Sequence, residues 1–133
     1  AMSFKCYFIK YKWQFSFTRM FYQFYNALYR TNSIMQKLEE KQGEFGEDFV
    51  NKVKAECLFI RGFYLFQLGK EFKNAPLRLT ASQSPSTFPL EKSSQAEIWS
   101  QAEQDLLTAA SLLPVKNDVI GKPTKGAAYA VLG

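Results

Sequence analysis

The sequence has no histidine at all, and its 133 residues include only two cysteines, Cys6 and Cys57. That excludes a Cys–His nucleophile pair and leaves no zinc-ligand spacing. Cys57 falls among apolar residues at helical spacing, so it is expected to be a small buried hydrophobe. The cysteines do not fix a redox compartment. No apolar run approaches the roughly 18 uncharged residues of a membrane-spanning helix, and the first residues lack the apolar core and small-residue cleavage site of a secretory signal. Clustered charge is missing too. The net charge of +5 is spread over Lys5, Lys10, Lys12, Arg19, Lys52, Lys54, Lys70, Lys73, Arg78, Lys122 and Lys125, with Glu39, Glu40, Glu44, Glu47 and Asp48 between them. A solvated, mildly basic surface follows, and no nucleic-acid partner. Residues 121–126, Gly-Lys-Pro-Thr-Lys-Gly, lack the phosphate-loop spacing and read as a helix start. No metal set, cofactor or activated nucleophile is present, so the chain is not expected to be an enzyme.

What is abundant is aromatic. Thirteen Phe and seven Tyr in a chain that is 47% apolar imply one domain with a continuous core, with large buried areas or grooves for flat ligands. Residues 9–17 alternate apolar and polar, which predicts a strand or a lead-in to the first helix, and no second alternating run offers it a partner. From about Thr18 to Glu40, Met20, Phe21, Phe24, Tyr25, Leu28, Ile34, Met35 and Leu38 recur at helical spacing. A second helix is expected from Asp48 to Gly69 or slightly beyond, and Pro76 helps to end it. Residues 74–93 hold Pro76, Pro85 and Pro89 and read as a long loop, in which Phe88 either pins the loop or meets a partner. Ser94 and Glu97 form a capping-box pattern before a third helix with Ile98, Trp99, Ala102, Leu106, Ala109 and Leu113 on its apolar face. Pro123 is a first-turn candidate for a fourth helix over 126–132. The expected fold is all-α: antiparallel helix pairs of the kind that build solenoids, with residues 1–17 as an N-terminal segment and 18–133 as the helical domain. A helix that reaches the last residue marks the chain as a piece of something larger, cut within that helix, and predicts self-association through the uncovered face.

Four blocks carry a likeness to a known family. The first is Phe21-x-x-x-Tyr25-x-x-Leu28-x-x-x-Asn32. The second is residues 55–77, an Ala-x-x-Leu-x-Ile-Arg core running to Pro76-Leu77. The third runs from Glu97-Ile98-Trp99 through Asp105-Leu106 and Ala109 to Leu113-Pro114. The fourth is residues 121–128, with Gly121, Thr124, Ala127 and Ala128 at the signature positions. In this order they resemble the SusD/RagB family of surface glycan-binding lipoproteins of Bacteroidetes. Departures are Phe21 where tryptophan is usual, Lys73 where the loop commonly has glycine, and Lys122 where arginine is usual. The resemblance implies a tetratricopeptide-like scaffold, an oligosaccharide ligand, docking onto a SusC-like TonB-dependent transporter, and a place at the cell outer membrane as a surface-exposed lipoprotein. The alternative is a generic tetratricopeptide-like protein-interaction module without sugar affinity.

Three residues are expected to be structural. Arg61, alone among aromatics, must stack or find a carboxylate or carbonyls when buried, and reads as a clamp between helices. Asn32 is expected to bond to nearby backbone or a loop, and Asp105 to pair with Arg61 or Lys125. Trp13 and Tyr11 are the candidate sugar-stacking residues, with a half-buried strand face as their other reading. Trp99 reads as core.

Overall fold

The computed structural model describes residues 4–81 and 91–133, with side chains in the first helix from Gln14 onward, Phe15 excepted. Phe88 therefore lies outside the described residues. The elements are α1 (Phe4–Glu40), α2 (Glu47–Phe72), β1 (Ala75–Pro76), β2 (Lys92–Ser93), α3 (Gln95–Leu112) and α4 (Lys125–Leu132). Among the described residues the chain is all-α apart from one two-stranded ladder.

Helix α1 corrects the strand reading of residues 9–17, because it begins at Phe4 and passes residue 17 without a break. The physical reason is in the pattern. Positions 9, 13 and 17 alternate, but they are also four apart, the spacing of one helix face. A lone strand would leave its backbone groups unpaired, whereas a helix pairs its own. The aromatic stripe then continues into the fold: Phe17 and Phe21 meet Phe72 edge-on, with centroids 5.6 and 5.1 Å apart.

Helix α2 is the central element. It runs antiparallel to α1, so that Phe24 meets Tyr64 near one end and Met35 packs against the cluster that holds Ala55 and Leu58 near the other. Its opposite side buries Ala55, Leu58, Gly62, Leu65, Leu68 and Gly69. Helix α3 packs there, antiparallel again, because glycines allow close approach. A Cβ added at Gly62 would stand 2.7 Å from Leu106 Cγ, and one at Gly69 would stand 2.6 Å from Trp99 Nε1. One core cluster gathers Leu28, Leu65, Leu68, Ala75, Ile98 and Ala102 under Phe24, Tyr25, Tyr64, Phe66, Phe72 and Leu77. A second, built from Ala55, Leu58, Ala109, Ala110, Leu113 and Ala128, seats α4 on α3 through small side chains. Cys57 is buried at 4% exposure, and that burial raises its thiol pKa.

The helix signals of the sequence have identifiable counterparts. Ser94 Oγ accepts from the Glu97 backbone N–H, and the Ser94 N–H donates to Glu97 Oε2 at 2.7 Å, completing the capping box. Ile98, Ala102, Leu106, Ala109 and Leu113 are buried. Trp99 is not core, however: it is 40% exposed, with one ring face stacked on Phe66. It sits one position off the centre of the stripe, so only its inner face is covered. Pro123 is not in the first turn of α4 either. It precedes the cap, Thr124, whose Oγ1 accepts from the Ala127 N–H at 3.3 Å.

Between α2 and α3 the long loop is tied at its ends, where Ala75 pairs with Ser93 and Pro76 with Lys92. The residue that turns the chain out of α2 is Lys73, at φ 57° and ψ −70°. A side chain with a Cβ is disfavoured at positive φ. Lys73→Gly should therefore stabilise the chain by about 1 kcal/mol, read as a higher urea midpoint. A drop in midpoint would show that the lysine side chain makes a compensating contact.

Candidate functional site

One guanidinium joins three helices. Arg61 of α2 donates from Nε to Asp105 Oδ2 at 2.6 Å and from an Nη to Asp105 Oδ1 at 2.7 Å. Its other Nη donates to Asn32 Oδ1 of α1 at 3.0 Å. Of the two partners open to Asp105, Arg61 is therefore the one in contact, and Gln101 Nε2 adds a bond to Asp105 Oδ1 at 3.0 Å. Asn32 and Asp105 are each 3% exposed. No buried side-chain nitrogen or oxygen among the described residues lacks a partner, so the network is saturated. A fork-on-carboxylate pair of this kind fixes orientation as well as energy.

The network reaches outward through the amide of Asn32, whose Nδ2 donates to the Arg78 carbonyl at 3.1 Å. That bond holds the strap that follows α2. A second bond holds it as well: Tyr25 Oη donates to the Pro76 carbonyl at 2.6 Å. Burial pushes the Tyr25 pKa up to about 12, against a smaller lowering by the positive charge of Arg78. The neutral phenol is thus favoured by folding. Its contribution is fully present below the unfolded value of about 10 and is lost as pH rises toward 12. Alkaline titration followed by denaturation should show stability falling across that window, with Tyr25→Phe less stable at neutral pH and flatter across the window. An identical slope in both proteins would contradict this.

The strap and α1 enclose a cavity of about 200 Å³, lined by Tyr22, Tyr25, Asn26 and Tyr29 from α1 and by Arg78 and Thr80 from the strap. Asn32 lies at its base. Tyr22 is 66% exposed and Tyr29 49%. Tyr22, Asn26 and Tyr29 stand at i, i+4 and i+7, a row beside the inward-facing row of half-buried Tyr25 and buried Leu28 and Asn32. The spacing of this exposed row is readable in the sequence, but polar-tipped rings on a solvated helix face stand out less than the apolar stripe beside them.

The sugar-stacking candidates Tyr11 and Trp13 fall within α1, and their side chains lie outside the described residues. Lys125 stands apart from the network, its backbone N–H donating to the Pro114 carbonyl. Lys122, where the resembled family has arginine, pairs with Glu56 at 2.9 Å. Among the described residues, no group of three or more His, Cys, Asp or Glu is placed to hold a metal ion, and no helix is long and apolar enough to cross a membrane.

Several solved structures share this architecture. A SusD superfamily protein from Bacteroides vulgatus ATCC 8482 is 80% identical, with a TM-score of 0.80 over 84% of this chain and 24% of that one. A SusD-like carbohydrate-binding protein from Bacteroides fragilis NCTC 9343 is 25% identical, with a TM-score of 0.79 over 87% of this chain and 23% of that one. A laminarin-binding SusD-like protein is 29% identical, with a TM-score of 0.77 over 85% of this chain and 24% of that one. The chain thus spans about a quarter of the length of these relatives. No curated protein matches it. The model of a SusD-like family described as "Starch-binding associating with outer membrane" matches residues 1–133. With that match over its whole length, the chain belongs to the SusD-like family.

Proposed function

We propose that this chain is scaffold and part of the ligand surface of a glycan-binding protein that captures oligosaccharides at the outer membrane and passes them to a SusC-like TonB-dependent transporter. The observation that carries the reading is the family match over residues 1–133, with its starch-binding, outer-membrane description. Relatives described as binding carbohydrate and laminarin support the ligand class. The local chemistry agrees with it. The surface over the strap offers exposed tyrosine rings beside amide, hydroxyl and guanidinium groups, and sugars are held by apolar ring faces together with a few placed polar groups.

Affinity electrophoresis tests the ligand class. In gels cast with soluble starch or laminarin, the chain should migrate more slowly than in a plain gel. Equal mobility in all three gels would leave the competing reading, a protein-interaction module without sugar affinity. Delivery is tested separately: the longer protein that contains this chain should co-purify with a TonB-dependent transporter from detergent-solubilised outer membranes, and its absence from the transporter fraction would contradict that step.

A further inference from the structure

We propose that the cavity between α1 and the strap is a subsite for a single neutral hexopyranose unit of a longer glycan, with Tyr22 and Tyr29 as its stacking faces. The proposal rests on the glycan-binding reading and goes further by naming the place and the unit bound.

Size comes first. Clefts that bury drug-sized ligands run to roughly 300–1,000 Å³. A cavity of about 200 Å³ is smaller and suits one ring of a chain that continues into solvent. Chemistry comes second. A pyranose presents apolar C–H faces and a rim of hydroxyls. Tyr22 and Tyr29 leave ring surface open to solvent, at 66% and 49% exposure. Asn26 supplies both an amide donor and an acceptor and Thr80 a hydroxyl of either sense, while Arg78, itself engaged within the fold, brings positive charge to the lining. A hydroxyl rim accepts such a mixed set, whereas an anionic ligand would find acceptors as well as donors facing it.

Rigidity comes third. The lining is fixed from below. Tyr25 and Asn32 hold the strap at the Pro76 and Arg78 carbonyls, and Asn32 is itself held by Arg61. Little ordering is then left to binding, which favours affinity.

The other cavities lack one ingredient or another. The cleft of about 540 Å³ near the start of α2 is lined by Asp48, Lys52, Glu56, Lys116 and Asp118 and has no aromatic face. The groove of about 680 Å³ between α1 and α2 has polar side chains in Gln23, Asn26, Arg30 and Thr31, but its two rings, Phe24 and Tyr64, are half-buried against each other and leave no open stacking face. In the groove of about 250 Å³ beside Trp99, Glu103 is the one charged side chain amid Phe66, Leu106, Val131 and Leu132. There the indole face is already stacked on Phe66, and its N–H donates to the Phe66 carbonyl.

The test is calorimetric titration of the whole 133-residue chain with maltoheptaose and, separately, laminarihexaose. The expected result is saturable millimolar binding of at least one of them. Tyr22→Ala and Tyr29→Ala should each weaken it about tenfold, near 1.4 kcal/mol, while Tyr29→Phe stays within about threefold because the stacking ring survives. Trp99→Ala should bind as the parent does. Both tyrosines are largely exposed, so the variants should keep the parent's thermal midpoint. Unchanged binding in both alanine variants overturns the subsite while the glycan reading stands. Loss of binding in Trp99→Ala alone does the same. Failure of the parent chain to bind either sugar overturns the subsite, whose named residues all belong to this chain, and leaves the glycan reading of the longer protein standing.

Discussion

Arg61→Ala should cost about 3–5 kcal/mol of folding stability, the range for breaking a buried ion pair from one side. The cause is what remains behind. Asp105 at 3% exposure would keep a charge with only Gln101 beside it, and Asn32, also 3% exposed, would lose its acceptor-side partner. Domains of this size are stable by about 5–15 kcal/mol, so the variant would approach or cross the threshold of folding. Arg61→Lys should recover only part of the loss, because one ammonium cannot serve both carboxylate oxygens and the Asn32 amide at once. The paired change Arg61→Met with Asp105→Leu should be less damaging than Arg61→Ala, since no charge is then stranded. Urea denaturation of the four proteins measures all of this. Equal midpoints for the parent and Arg61→Ala would show that the network contributes nothing to stability. We infer from this chemistry that Arg61, Asp105 and Asn32 act as a structural clamp.

Gly62→Ala should destabilise by about 1–3 kcal/mol, the range for overpacking a filled core. Alanine is normally the better helix former, so propensity alone predicts the opposite sign. Contact decides the outcome. The new methyl would stand 2.7 Å from Leu106 Cγ and 3.1 Å from the Ala102 carbonyl oxygen. Leu106 is 2% exposed and has little room to turn away, and a backbone carbonyl cannot. The α2–α3 spacing must therefore widen, which also stretches the Arg61–Asp105 pair one residue away. A gain in thermal midpoint for Gly62→Ala would mean that the two helices can separate without loss.

The helical framework was legible because it depends on local repetition. The capping box at Ser94, the stripe from Ile98 to Leu113 and the proline after α2 each act within a few residues. The pairing of Arg61 with a carboxylate could be anticipated because a lone cation among aromatics has few ways to be buried. Four features escaped for different physical reasons. Residues 9–17 fit two periods at once, and only the absence of a pairing partner decides for helix. The two-residue ladder at Ala75 and Lys92 is too short to leave a pattern. The exposure of Trp99 turns on a shift of one position around the helix, finer than a stripe resolves. The tyrosine cavity escaped most completely. Tyr22, Asn26 and Tyr29 belong to α1, whereas the strap that completes the cavity arrives more than fifty residues later, as the Tyr25–Pro76 bond shows with its separation of 51. A local pattern holds half of such a site.

The tyrosine subsite is tested most directly by a nitrogen–proton correlation spectrum of the labelled chain, recorded during titration with maltoheptaose and laminarihexaose. The largest shifts should fall on Tyr22, Asn26, Tyr29, Arg78 and Thr80, with the resonances around Trp99 and Glu103 unmoved. Shifts confined to the Trp99 groove, or no shifts with either sugar, would contradict it.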